Sequence, residues 1–287
     1  MKSISISVIV CTINRPKELK NCIETIKSQT HLPDEIIVVD ASEEDQSGKF
    51  ESSSGNIVLK YIRTAAGLTR QRNVGVEASC GDIVFFFDDD IELDKEYIEK
   101  SLNIFSDDTL GCVGGVQGID LNDTQSFLKG KKRLFFYRLF FLGRKDQYSK
   151  MLPSGNVTHL DIASPKIRYS EKPIRIHLAS GGIVGYHRKV LNDFMFDESY
   201  IGYSHGEDID FSHRVSNKYG IYFTSFARVY HKQHSDKISW YRTADFLESK
   251  IRSQVFLFRK HLSCNRLNYL AILWSWFGLL IWNGVVH

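Results

Sequence analysis

Short unbroken apolar runs alternate along the first part of the chain with stretches in which apolar residues recur at helical spacing. Ile4, Ile6 and Val8 alternate with serines, and Val8, Ile9 and Val10 then run on without a polar break, which predicts a first strand entering a core. Pro16 opens a helix whose apolar positions are Leu19, Cys22, Ile23 and Ile26. Pro33 breaks the chain, and residues 35–40 form a second apolar strand ending on Asp40. A polar loop over 42–56 leads to a third strand at 57–61 and a second helix over 67–79. The run Ile83, Val84, Phe85, Phe86, Phe87 is a further strand, followed by a helix over 95–105.

Strands apolar on both faces, alternating with helices, predict an α/β fold with a mostly parallel sheet covered by helices on both sides. Ligands of such sheets bind beyond the carboxyl ends of the strands. The polar residues at those ends are Thr12, Asn14 and Arg15 after the first strand, Asp40 after the second, and Asp88, Asp89 and Asp90 after the phenylalanine run. They should gather along one rim. Because side chains alternate along a strand, Asp88 and Asp90 project to one side and Asp89 to the other. Three adjacent carboxylates repel one another, and a hard divalent cation shared with a phosphate is the usual remedy. The plain alternative is a polar strand-to-turn transition, where Asp is common.

The chain loosens after Val116. Residues 129–145 form a basic, aromatic block, and two segments of functional character follow: residues 178–186, which carry Gly181 and Gly182, and residues 206–215, which carry Glu207 and Asp208 at an expected helix start with Phe211 and Val215 on its buried side. In isolation, acidic residues at a helix start merely complement the dipole. At 287 residues with a net charge of +3, the chain supports a substantial core and is too weakly basic to argue for a nucleic-acid partner. Its five cysteines have neither zinc-clip nor redox spacing and are expected to be buried free thiols of a reducing compartment. The opening residues lack the long apolar stretch of a signal peptide.

Four segments in order, SVIVCTINRPKELKNCIETIKSQT with DEIIVVDASEED, GLTRQRNVGVEASCGDIVFFFDDD, LASGGIVGYHRKVL and GEDIDFSHRV, resemble glycosyltransferase family 2, the inverting sugar-nucleotide transferases of GT-A fold. The likeness covers roughly residues 4–235, with no counterpart for 117–177 and no QxxRW after the Glu-Asp pair, so processive synthases match less well. The resemblance implies a metal site at Asp90 and His231, with His234 in reserve, and a Mn²⁺ or Mg²⁺ cofactor, an imidazole ligand favouring Mn²⁺. It implies donor contacts from Thr12, Asn14, Arg15, Asp40, Arg72 (or Arg70, half a turn away), Asp88, Asp89 and Gly182. It makes Asp208 the general base and places Glu207 and Gly181 on the acceptor side. The donor would be a nucleotide sugar, a UDP-sugar ahead of others, and the acceptor a saccharide or lipid-linked saccharide of a cell-surface glycan. A non-catalytic sugar-nucleotide-binding relative and a nucleotidyltransferase are the alternatives. The retained aspartates and the late Glu-Asp pair argue against them.

Organisation is expected as a nucleotide-sugar half over 1–115, an acceptor and catalytic half over 116–235, and a helical segment over 236–287. The segment 267–286 carries no charge and includes Trp274, Trp276 and Trp282, with Arg259, Lys260 and Arg266 ahead of it. It approaches the ~20 residues that cross a bilayer, but Asn268, Ser275, Gly278 and Asn283 favour in-plane binding. With the 129–145 block it suggests a cytoplasmic enzyme at the inner face of the cell membrane.

Overall fold

The expected apolar runs become four neighbouring parallel strands: β1 (Ile6–Thr12), β2 (Glu35–Asp40), β3 (Val58–Arg63) and β4 (Ile83–Asp88). They lie in the order β3-β2-β1-β4, and their registers pair Thr12 with Asp40, Asp40 with Arg63 and Cys11 with Asp88. The carboxyl ends therefore line up along one edge. The chain leaves β1 toward β2 on one side and returns to β4 on the other, so the point where strand order reverses lies between the loops after β1 and β4. The structure is a computed structural model, described over residues 4–50, 56–123, 135, 138–142, 149–158, 160–162, 164–200, 206–232, 244–263 and 265–286.

Helix α1 (Pro16–Lys27) starts at its proline and buries Leu19, Cys22, Ile23 and Ile26, the four positions that its spacing marks. Helices α2 (Leu68–Ala78) and α3 (Tyr97–Phe105) follow β3 and the short strand β5 (Ile91–Leu93). Beyond β4 the sheet continues through β8 (Ile183–His187), β6 (Val113–Asp120) and β9 (Gly220–His231), with β5 and β7 (Ile174–Ile176) both on β9. β8 runs antiparallel to β4 and β6, whereas β6 and β9 are parallel. The core between α1, α3 and the sheet is built from Val8, Val10, Ile36, Val38, Phe85 and Phe87 together with Tyr97. The Tyr97 hydroxyl donates to the Ile183 carbonyl at 2.7 Å and accepts from the Gly118 N–H at 3.2 Å, which satisfies a buried polar group on both sides.

These elements belong to one compact unit, residues 1–123 with 168–233. The second unit, residues 124–167 with 234–287, contains the helices α7 (Ala244–His261) and α8 (Arg266–Val286). Leu257 and Phe258 of α7 are buried, as are Ala271 and Ile272 of α8. Gln254 joins the two helices, donating to Ser275 Oγ at 3.1 Å and accepting from Trp276 Nε1 at 3.1 Å. Among the described residues no helix is long and apolar enough to cross a membrane. The expectation of buried thiols needs correcting: Cys22 is buried and Cys11 half-buried, but Cys80 and Cys112 are exposed. Most of the 129–145 block, and His234, lie outside the described residues.

Candidate active site

The aspartate triplet straddles the end of a strand, with Asp89 and Asp90 in the turn that follows. β4 ends on Asp88, and Asp89 turns to the α1 side, where it accepts from Thr12 Oγ1 at 2.7 Å and Arg15 Nη1 at 3.1 Å. Burial raises the Asp89 carboxyl to about 6, and the Thr12 hydrogen bond and the Arg15 charge oppose that rise. Thr12 and Arg15 thus hold the triplet from below. Asn14, between them, takes a left-handed φ of 55° and donates its N–H to Ser42 Oγ at 2.7 Å, tying the loop after β1 to the loop after β2.

Asp88 and Asp90 turn to the other side and meet His231. Ligand atoms of these three residues all lie within 4.8 Å of one another. His231 Nε2 is 2.8 Å from Asp90 Oδ1 and 4.0 Å from Asp88 Oδ2. The histidine arrives through sheet pairing: it is the last residue of β9, paired with Ile91, and the Lys232 N–H donates to the Asp90 carbonyl at 2.9 Å. Asp120, at the end of β6, closes the far side. Its Oδ1 accepts the His231 backbone N–H at 3.2 Å, and its Oδ2 is 3.7 Å from His231 Nδ1. Two carboxylates and one imidazole, backed by a further carboxylate, are a group of side chains that could hold a divalent cation.

The second half of the site comes from the Gly-Gly turn before β8 and the start of α6 (Glu207–Ser216), which follows the short helices α4 (Pro165–Arg168) and α5 (Arg188–Asp193) along the chain. Gly206 precedes the helix in the left-handed conformation, φ 89°, which an L side chain rarely adopts. Phe211 and Val215 are fully buried, as expected. Asp208 Oδ2 accepts the Gly181 N–H at 3.4 Å, and Oδ1 accepts the Ile209 N–H at 2.8 Å. A Cβ on Gly182 would stand 2.0 Å from Asp88 Oδ2, and one on Gly181 2.6 Å from both terminal nitrogens of Arg72. These glycines let the backbone press against both side chains. Because Asp208 touches one glycine and Asp88 the next, the two carboxylates lie within about 12 Å of each other.

Arg72 and Glu207 are both buried, with Nη1 2.5 Å from Oε2, and the guanidinium lies over the Phe196 ring at 5.3 Å. Burial raises the Glu207 carboxyl, Asp208 and Asp88 push it the same way, and Arg72 pulls it back. Burial disfavours the Arg72 charge, but Glu207 and Asp88 more than restore it. Arg70, the alternative to Arg72, points elsewhere, to Glu198 at 3.2 Å. Asp40 is buried and accepts from the Ser42 N–H at 2.8 Å and from the hydroxyls of Ser42 and Tyr61.

Asp120 was not among the expected site residues, although it ends its strand on a carboxylate as Asp40 and Asp88 do. Gln71 and Gln117 were missed as well. Gln71 Nε2 donates to the Thr12 and Val39 carbonyls, both at 2.9 Å, joining β1 to β2. Gln117 Oε1 accepts the Ser180 N–H at 2.8 Å and steadies the glycine turn. No residue periodicity announces an amide in such a post.

Strand order and site together are those of a GT-A fold. The model of glycosyl transferase family 2 matches residues 7–194, and the chain belongs to that family. It is 26% identical over 246 residues to the hyaluronan synthase of Pasteurella multocida, an alignment covering 80% of this chain and 25% of that enzyme. It is 30% identical over 115 residues to the O-antigen chain rhamnosyltransferase RfbN of Salmonella typhimurium, covering 39% and 37%. Among solved structures, S. aureus TarS 1-349 in complex with UDP-GlcNAc superposes with a TM-score of 0.56 at 19% identity, covering 85% of this chain and 64% of that one. GalNAc-T7 with UDP, GalNAc and Mn²⁺ gives 0.57 at 17%, covering 80% and 44%. The chain therefore spans only a quarter to about two-fifths of these curated relatives.

Proposed function

We propose that this chain is an inverting, non-processive glycosyltransferase that moves a sugar from a nucleotide-sugar donor to a hydroxyl of a saccharide or lipid-linked saccharide in glycan biosynthesis. The observation that carries the reading is the convergence of Asp88, Asp90 and His231, with Asp88 against Gly182 and Asp208 on the N–H of the adjoining Gly181. A UDP-sugar is the favoured donor, supported by the UDP and UDP-GlcNAc complexes of TarS and the UDP complex of GalNAc-T7.

The chemistry divides among the residues as follows. Asp208 accepts the proton of the acceptor hydroxyl as its oxygen bonds to the anomeric carbon. The bond from that carbon to the diphosphate breaks from the opposite face, and the electron pair leaves on the diphosphate oxygen. Asp88, Asp90 and His231 would hold a Mn²⁺ or Mg²⁺ ion, which when bound offsets negative charge on the diphosphate. Arg72 and Glu207 brace the floor, with Glu207 toward the acceptor. Asn14 and Asp40 shape the pocket for base and ribose between the first two strand loops, and Thr12 and Arg15 fix Asp89 beneath the diphosphate.

Thermal-shift measurement against UDP-, GDP-, dTDP- and CMP-sugars, with and without Mn²⁺, identifies the donor; release of nucleotide with an added acceptor then measures turnover. Asp208→Asn is expected to lower turnover by about 10²–10⁴-fold while donor binding persists. Unimpaired turnover refutes the base assignment, and full activity in EDTA refutes the cation site. Donor binding without turnover by the wild-type chain places it with the non-catalytic relatives.

A further inference from the structure

Helix α8 is apolar on every side, yet only one side is covered. Ala271, Ile272 and Ser275 are buried, whereas Leu267, Leu270, Leu273 and Leu280 are 76%, 63%, 55% and 72% exposed. Tyr269, Trp274 and Phe277, 49%, 41% and 50% exposed, form the partly covered margin of that arc, Tyr269 packing on Phe258 and the other two on Phe140. At 100° per residue the seven positions fall within an arc of about 160°, and all but Leu267 lie in the half of the helix opposite Ser275. Such a stripe of large apolar groups has a strong tendency to leave water.

The charge along α7 and α8 is mostly basic; the exceptions are Asp245 and Glu248 near the start of α7, Glu248 pairing with Arg252 at 2.6 Å. From residue 249 to the end of the sequence there is no Asp or Glu, while Lys250, Arg252, Arg259, Lys260 and Arg266 are all basic. Three of these, Arg259, Lys260 and Arg266, lie at the junction of α7 and α8, next to the start of the apolar stripe. Helix α7 repeats the chemistry on its own surface, where Ile251, Val255 and Phe256 lie beside Arg252 and Arg259. Apolar and aromatic groups on an in-plane helix, with cations ahead of it and no acidic residue of its own, match an anionic bilayer surface. A protein partner would have to be both apolar and acidic over the same patch.

We propose that the exposed face of α8, with the basic α7–α8 junction, is a docking surface for an anionic lipid membrane, on which the helix lies in the plane of the interface. The inference is independent of the transfer reading, since it rests on residues outside the active site.

The test is co-sedimentation of the full chain with phosphatidylglycerol/phosphatidylcholine vesicles and with pure phosphatidylcholine vesicles. Wild-type protein should bind the anionic vesicles, more weakly as salt is raised. The triple variant L270S/L273S/L280S should partition roughly 10²-fold less, and R259Q/K260Q/R266Q about fivefold less per charge removed. All three sites of the serine variant are exposed, and an unchanged melting temperature and nucleotide-induced thermal shift show that it is folded. Failure of the wild type to bind anionic vesicles overturns the proposal. So does a wild-type dimer in light scattering that the serine variant converts to monomer, because a second copy then covers the face. Loss of nucleotide binding with intact vesicle binding would instead strike at the active-site reading.

Discussion

Replacing Gly182 by alanine disturbs the Asp88–Asp90–His231 cluster without replacing any of its three residues. The new Cβ would stand 2.0 Å from Asp88 Oδ2, 2.1 Å from Cγ and 2.4 Å from Oδ1. Non-bonded heavy atoms settle at about 3.5 Å, so the carboxylate must retreat by roughly 1.5 Å. Metal sites tolerate displacements of only about 0.2 Å. The side chain is 39% exposed and can swing outward, so the fold loses only the low end of the ~1–3 kcal/mol expected of overpacking. The cost falls on the ion instead. Displacing one carboxylate of the cluster should weaken Mn²⁺ binding about 10–100-fold, or ~1.4–2.7 kcal/mol.

Titration calorimetry with Mn²⁺ measures this directly, and a second background makes the cause specific. In Asp88→Ala the obstructed carboxylate is gone, so adding Gly182→Ala should weaken the ion no further. Wild-type Mn²⁺ affinity in Gly182→Ala, or losses that simply add in the double variant, would refute the argument that the glycine exists to admit Asp88.

Asp120→Ala, which removes the carboxylate behind His231, should weaken Mn²⁺ roughly 10–100-fold in the same calorimetric assay while leaving nucleotide binding measurable. Phe211→Ala should cost about 3–5 kcal/mol in urea unfolding, since the ring is fully buried and stacks on Phe196 at 4.1 Å. Glu35 tests electrostatics far from the site: burial would raise its carboxyl, but hydrogen bonds from Lys60, Ser7 and Cys80 bring it down to about 2. Its folded value lies below its unfolded one, so the stabilisation is complete above about pH 4.3 and fades as pH falls toward 2. Glu35→Gln should therefore be about 2–3 kcal/mol less stable at pH 7, and the gap should narrow at pH 3.

The parallel half of the sheet was legible because its signal is local. Residues 36–39 and 83–87 are apolar without interruption, and a strand buried on both faces leaves no other pattern. The aspartate triplet was legible as the acidic end of such a run, but strand alternation does not govern it: Asp89 and Asp90 form the turn after β4, and Arg15 reaches both. His231 was reached through resemblance and its place after an apolar run. Its true neighbour, Asp120, was not, because the contact depends on β6 and β9 pairing across more than a hundred residues with two register shifts. The cysteines misled for a related reason: an apolar residue type says nothing of which face it occupies. Cys22 sits on the α1 stripe, whereas Cys80 and Cys112 fall in connecting segments.

Charge pairing sorts the acidic residues of the site by task. Arg15 is placed on Asp89 and, at 3.4 Å, on Asp90; Arg72 is placed on Glu207. Among the described residues, no arginine or lysine comes within ion-pair distance of Asp88 or Asp208. A carboxylate held by an arginine is fixed in place, as Asp89 and Glu207 are, and Asp90 is steadied in the same way beside His231. Asp88 and Asp208 lack that partner, and the two flank adjacent glycines of a single turn. In the proposed mechanism Asp88 answers to a cation and Asp208 to a proton. Because one dipeptide positions both, a shift that admits the ion at Asp88 also moves the N–H that orients Asp208. Cation binding should therefore change the affinity for acceptor as well as for donor, and an acceptor affinity independent of Mn²⁺ would break that link.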